Sequence, residues 1–116
     1  MVLFSFPKAE RLLNRKDFVN LNRLGKRRYT AHFVIIFRKN NLGITRLGIT
    51  ASKKTGNSVK RNRIKRLIRE FYRLHKASFP KGYDIIIATK TSAKTLDYWS
   101  LKEELGPALL DKKFPV

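Results

Sequence analysis

Residues 1–12 read as a partly extended arm, and regular patterning begins after them. Asn14 offers a helix N-cap, with Asp17 three residues on where a capping-box acid would sit. Phe18, Leu21 and Leu24 give that short helix one apolar face, and Gly25 supplies its stop. Arg27 to Tyr29 is read as a short strand leading into a second. His32 to Phe37 is a continuous apolar run rich in β-branched and aromatic residues, which predicts a strand covered on both faces. Asn40-Asn41-Leu42-Gly43 is a turn, and the alternation from Leu47 to Ala51 predicts another strand. Thr55-Gly56-Asn57-Ser58 breaks the pattern and offers caps for a long helix reaching about Lys76. Phe79-Pro80-Lys81-Gly82 ends that helix. Tyr83 to Ala88 is a buried strand built on Ile85-Ile86-Ile87. A last helix is predicted from about Thr95, with Tyr98, Leu101 and Leu105 on one side, and Gly106-Pro107 should stop or kink it. No repeat or linker divides the chain, so residues 1–116 form a single mixed α/β layer domain with one sheet.

The long helix has two unlike sides. With Ile64 at 0° and 100° per residue, Leu67, Ile68, Phe71 and Tyr72 fall within about 80° of it. They make an apolar stripe that should pack on the sheet. Lys65, Arg66, Arg69, Arg73 and Lys76 fall at roughly 100° to 200°, on the far side, and Arg61 and Arg63 lie on the two flanks. From Lys53 to Lys76 there are ten basic residues and a single acid, Glu70. A solvated helix gains by interleaving opposite charges four residues apart. This helix forgoes those pairs, which makes sense if phosphates supply the missing charge: guanidinium forks match phosphate oxygens, and a helix N-terminus adds backbone donors.

Composition strengthens that reading. Of 116 residues, 27 are Lys or Arg and 8 are Asp or Glu, a formal charge of +19, while 42% are apolar, enough for a core. Small domains usually carry a net charge of roughly 2 to 8 in magnitude. A nucleic acid is the leading partner and an anionic membrane surface the second, but no stretch approaches the ~20 apolar residues of a spanning helix. The apolar stripe, needed to cover the strands, argues against a membrane-surface or calmodulin-target helix. The start of the chain lacks a signal-peptide pattern. There is no cysteine, so there is no disulfide partner, and the composition suits a cytoplasmic setting.

Protein catalysis finds little support. The acids Glu10, Asp17, Glu70, Asp84, Asp97, Glu103, Glu104 and Asp111 are scattered and form no metal-nuclease cluster. His32 and His75 are read as structural, and Gly56 stands alone without a phosphate-loop pattern. A single RNA strand would be held by cations along its backbone and aromatics beneath its bases. Phe18, Tyr29, Phe33, Phe37 and Tyr83 are available, most of them expected in the core, and Arg27, Arg28 and Lys90 could line such a groove. A ribosomal or other structured-RNA-binding protein, with no part in cleavage, is the alternative on the same residues.

At the long helix the sequence resembles the protein subunit of bacterial ribonuclease P. The run Lys60-Arg61-Asn62-Arg63-Ile64-Lys65-Arg66-Leu67-Ile68-Arg69-Glu70 carries that family's Arg-Asn-Arg signature, and Gly48-Ile49-Thr50-Ala51-Ser52-Lys53-Lys54-Thr55-Gly56-Asn57 matches its strand and loop. Leu12-Leu13 through Asp17-Phe18, and Tyr83 through Lys90, match more loosely, so the resemblance spans about residues 8–110. It implies an α+β sandwich of αβββαβα order with a left-handed βαβ crossover. It also implies a ribonucleoprotein that removes the 5′ leader of precursor tRNA by Mg²⁺-dependent hydrolysis, with the chemistry in its RNA subunit and no ion tightly held by the protein. Lys53, Lys54, Asn57, Lys60, Arg61, Asn62, Arg63, Lys65, Arg66 and Arg69 would then contact the catalytic RNA. A cleft between the first helix and the sheet would receive the leader, with Phe18 and Lys90 facing it. Asn22 and Ile36 stand where many members carry an aromatic, which implies weaker stacking.

Overall fold

The computed structural model describes residues 6–90 and 96–110. In chain order they form α1 (Arg15–Leu24), β1 (Lys26–Tyr29), β2 (Phe33–Lys39), β3 (Arg46–Thr50), α2 (Ser58–His75), β4 (Tyr83–Thr89) and α3 (Tyr98–Leu109). The strands make one mixed sheet in the order β1-β2-β4-β3. β1 with β2 and β2 with β4 are antiparallel, whereas β3 runs parallel to β4. The α+β class and the αβββαβα order expected from the sequence are both present.

The hydrogen bonds fix the hand of the β3-α2-β4 crossover. Lys90 N–H donates to the His32 carbonyl and Asn40 N–H to that of Gly82. By the alternation of an antiparallel ladder, even-numbered β4 residues therefore bond toward β2, and Ile85 and Ile87 bond toward β3. The Ile85 and Ile87 side chains lie on the α2 side. In an L-residue whose side chain faces the viewer, with the chain running upward, N–H and C=O point right. Seen from α2, β3 thus lies to the right of β4, and the path β3-α2-β4 moves leftward. The crossover is left-handed, against the usual preference. The far edge agrees: Leu47, facing α2, accepts from Leu12 N–H on the side away from β4.

The two faces of the sheet are covered unequally. On one, Phe33, Ile35, Phe37, Leu47, Ile85 and Ile87 pack with Ile64, Ile68, Phe71 and Tyr72 of α2 and with Leu101, Leu105 and Leu109 of α3. The predicted apolar stripe of α2 is this contact. On the other face, Ile36 and Ile86 meet only Leu21 of α1 and Leu12 of the arm, with Phe18, Val34 and Ala88 half-buried around them. The arm also covers the β3 edge, where an open strand would invite foreign pairing.

Three local expectations change. Gly25 does end α1, but in extended conformation rather than as a left-handed cap. Glycine is required there by close approach: a Cβ would sit 2.6 Å from the Leu21 carbonyl and 2.9 Å from Cγ2 of Ile36. Gly106-Pro107 does not stop α3, which continues to Leu109. Pro107 lies on the exposed side of the last turn, where water can serve the carbonyl it leaves unbonded, and Leu105, Ala108 and Leu109 are buried around it. The helix starts at Tyr98, capped by the Asp97 carboxylate accepting from Ser100 N–H at 2.8 Å, while Thr95 lies outside the described residues. At α1, Asn14 accepts from Lys16 N–H as expected, and Asp17 turns instead toward Arg46, at 3.5 Å.

Candidate nucleic-acid interface

The loop before α2 is built to hold cations outward. A short 3-10 turn, Lys53–Thr55, leaves Lys53 and Lys54 exposed while Thr55 is buried, its hydroxyl 2.8 Å from that of Thr89. That bond ties the loop to the end of β4. Gly56, at φ 146°, turns the chain into α2 in a conformation L side chains rarely adopt. Asn57 then caps the helix by accepting from Lys60 N–H at 3.0 Å. Asn57, one of the expected RNA contacts, therefore has its side-chain oxygen in use and only its amide donors to offer.

Along α2 the expected contacts divide. Lys60, Asn62, Arg66 and Arg69 are exposed, and Lys65 is half-buried. Arg61 reaches back to the Gly56 carbonyl at 3.2 Å. Arg63 points to the α3 side and donates to the Leu96 carbonyl at 2.6 Å, so one end of its fork fastens the segment ahead of α3. The acids that might have cancelled this surface are engaged elsewhere. Among the described residues, ion pairs join Asp84 and Asp17 to Arg46, Glu70 to Arg73, Glu10 to Lys76, and Glu104 to His32. None reaches Lys53, Lys54, Lys60, Lys65, Arg66 or Arg69.

The open face of the sheet forms a second surface. Phe18 lies across β3 so closely that a Cβ on Gly48 would be 2.6 Å from its Cζ. Val34 and Ala88 continue the floor. At the far end, Lys90 Nζ sits 5.8 Å from the centroid of the Tyr29 ring and donates to the Thr30 carbonyl at 2.5 Å. Tyr29 is 66% exposed, unlike Phe33 and Phe37, which are core residues as expected. Strand register places Arg27 opposite Ile36, on this face, and Arg28 opposite Ile35, on the other. Arg27 donates to the Asn22 carbonyl at 2.7 Å at the end of α1. Arg28 donates instead to the Ala108 carbonyl at 2.8 Å, at the end of α3. Arg28 is thus removed from the expected groove: in a strand, neighbouring residues face opposite ways.

The histidines have structural partners. His32 Nδ1 lies 2.6 Å from Glu104, which also accepts from the His32 N–H at 2.7 Å and from the Thr30 hydroxyl. Burial raises the Glu104 pKa, but these bonds outweigh it and hold the carboxyl below its ordinary value. His75 Nδ1 is 3.0 Å from the Phe71 carbonyl and its ring packs on Phe71. No group of three or more His, Asp or Glu side chains that could hold a metal occurs among the described residues.

Fold and surface together define a basic α+β RNA-binding protein, sealed on one sheet face and partly open on the other. The comparisons carry the assignment further. The family model for ribonuclease P matches residues 6–113. The ribonuclease P protein component of Geotalea uraniireducens is 47% identical over 109 residues, 94% of this chain and 96% of that protein. That of Syntrophus aciditrophicus is 44% identical over 94% of this chain and 92% of the relative. Among solved structures, the ribonuclease P protein of Thermotoga maritima superposes with TM-score 0.80 at 36% identity, over 86% of this chain and 94% of that one. The Staphylococcus aureus protein gives 0.78 at 35%, over 84% and 90%. The chain belongs to the ribonuclease P protein family, a family of RNA-binding proteins of tRNA processing. The ribosomal-protein alternative falls away.

Proposed function

We propose that this protein binds the catalytic RNA of ribonuclease P through Lys53, Lys54, Lys60, Lys65, Arg66 and Arg69, and holds the single-stranded 5′ leader of precursor tRNA over Phe18, Val34 and Ala88, beside Tyr29 and Lys90. One observation carries the reading: these six cations lie at the surface of the loop and of α2, and no carboxylate partner reaches them among the described residues. Bond cleavage belongs to the RNA subunit and its Mg²⁺. The protein contributes charge neutralisation, which lowers the Mg²⁺ needed to fold and engage that RNA. Asn62 and the free end of the Arg61 fork add hydrogen bonds at the helix start. Arg63 acts mainly by fastening the segment ahead of α3.

Reconstitution tests this directly. Bacterial ribonuclease P RNA should cleave precursor tRNA faster at low Mg²⁺ when the protein is added, and the protein alone should not cleave. Absence of stimulation with any such RNA refutes the assignment of partner. Phe18→Ala should weaken binding of leader-bearing substrate more than of mature tRNA, by about 1–3 kcal/mol if one base stacks on the ring. Equal losses, in a variant with native circular dichroism, take Phe18 out of the leader site.

A further inference from the structure

Between the N-terminal arm and α2 lies a hollow of about 280 Å³, of which the reading above uses only Arg66 and Arg69. Phe6 and Arg11 form its arm side, and Arg66, Arg69, Glu70 and Arg73 its helix side. Four guanidinium groups face one carboxylate. Arg11 is held in place: its Nε donates to the Phe6 carbonyl at 2.8 Å, and its guanidinium lies 5.0 Å from the Phe6 ring centroid. That ring is itself anchored, 5.0 Å from the ring of Tyr72. Arg11 keeps its two terminal nitrogens for an acceptor. Arg73 reaches Glu70 at 3.1 Å through one terminal nitrogen, and its side chain is 41% exposed, so among the described residues the other terminal nitrogen is open to an acceptor. Arg66 and Arg69 are exposed and have no carboxylate among the described residues.

We propose that this hollow is a clamp for an RNA backbone phosphate, with Arg11 on one jaw and Arg66, Arg69 and Arg73 on the other. The inference rests on the RNA-binding reading of α2 and extends it to Arg11 and Arg73, which that reading does not use. Forked donors on two sides match the two unbridged oxygens of a phosphodiester. The clamp is also continuous with the leader surface: Arg11 and Arg69 line a second hollow, about 170 Å³, together with Lys65 and Phe18. A strand gripped by the clamp therefore has a basic path to the ring of Phe18. The arm thus has a second task besides covering the β3 edge.

The test is salt-dependent binding of two probes, ribonuclease P RNA and a single-stranded leader oligonucleotide, to the full chain and to Arg11→Gln and Arg73→Gln. Each lost phosphate contact should reduce the slope of log affinity against log salt by about 0.7–0.9, roughly five- to eightfold in affinity at 0.1 M salt. Loss with the catalytic RNA alone assigns the phosphate to that RNA, and loss with the oligonucleotide alone assigns it to the leader. Arg11→Lys and Arg73→Lys keep the charge and should keep the slope, which separates phosphate contact from detachment of the arm. Unchanged slopes for both glutamine variants with both probes, while Lys65→Gln still lowers the slope, overturn the clamp and leave the α2 surface standing. Unchanged slopes for Lys65→Gln as well overturn both.

Discussion

Gly48→Ala should destabilise this protein although the same change in most strands helps. Alanine is ordinarily favoured over glycine inside a strand by about 0.5–1 kcal/mol, because the glycine chain has more freedom to lose. Gly48 shows no left-handed backbone that would penalise a side chain. Its constraint is space. A Cβ there would lie 2.6 Å from Cζ and 2.8 Å from Cε1 of Phe18, and 3.2 Å from Cβ of Leu12. The ring cannot withdraw freely, since it belongs to the small cluster with Leu12, Leu21, Ile36 and Ile86. Overpacking of this kind costs about 1–3 kcal/mol, so the net loss should be about 1–2 kcal/mol. For 116 residues the unfolding entropy is about 0.24 kcal/mol/K, which converts that loss to a fall in Tm of about 4–8 °C. Thermal denaturation of Gly48→Ala, Phe18→Leu and the double variant measures it. Leucine removes the two atoms that clash, so the double variant should lose less than the two single losses added, by at least about 0.5 kcal/mol. Strict additivity, or a neutral or stabilising Gly48→Ala, would show that Phe18 does not lie over β3 as described.

Three further outcomes follow from other contacts. If Lys53, Lys54, Lys60, Lys65, Arg66 and Arg69 each neutralise one phosphate, affinity for ribonuclease P RNA should fall roughly 300–2000-fold between 50 and 200 mM salt; a flat response in a filter-binding titration contradicts phosphate contact. Glu104 has a folded pKa below its ordinary value of 4.5, so its stabilisation is complete above that value and lost as pH falls through the folded pKa. The Tm of the wild type should therefore drop more steeply below about pH 4.5 than that of Glu104→Gln, which at neutral pH should be less stable by about 1–3 kcal/mol; parallel pH profiles would exclude Glu104 as the source. Arg46 makes a two-pronged bond to Asp84, at 2.8 and 2.7 Å, which lysine cannot reproduce. Urea denaturation of Arg46→Lys should show a loss of about 1.5–3 kcal/mol, and an unchanged midpoint would mean the fork is dispensable.

The sequence made the elements and the α2 surface legible for one reason: both are periodic. A stripe of Ile64, Ile68, Phe71 and Tyr72 with cations behind it can be read from spacing alone, and it packs as read. Arg28 was misplaced because β1 has little apolar alternation of its own, and its facing is set only by register with β2. The exposure of Tyr29 is set by the same register. The parts of Phe6 and Arg11 were invisible because the arm is aperiodic and its partners lie some sixty residues away in α2. Pro107 misled because the rule against proline assumes a bond that must be replaced from within the protein. Handedness lies beyond any pattern of polar and apolar positions, since both hands bury the same faces. It became readable once the hydrogen-bond parity of β4 was known.

Scarcity of acids explains how a chain of charge +19 can both fold and bind RNA. Of its eight acids, the ones in the described residues are spent almost entirely on fastening. Glu10 ties the arm to α2 through Lys76 and the Tyr72 hydroxyl. Asp84 joins the starts of β3 and β4 and the end of β2 through Arg46 and Asn40. Asp97 caps α3, and Glu104 locks α3 to the turn between β1 and β2. Glu70 holds one arginine at the clamp and leaves its neighbours alone. Three of these acids, Glu10, Asp84 and Glu104, sit at joints between elements, and none of the five lies on the first two turns of α2. Repulsion is therefore left uncompensated along the loop and the start of α2, where the apolar stripe beneath holds the helix in place. Relief of that repulsion can come only from outside the chain, so RNA binding and stability are coupled: bound polyanion should raise the Tm most at low salt, where the uncompensated charges repel most strongly.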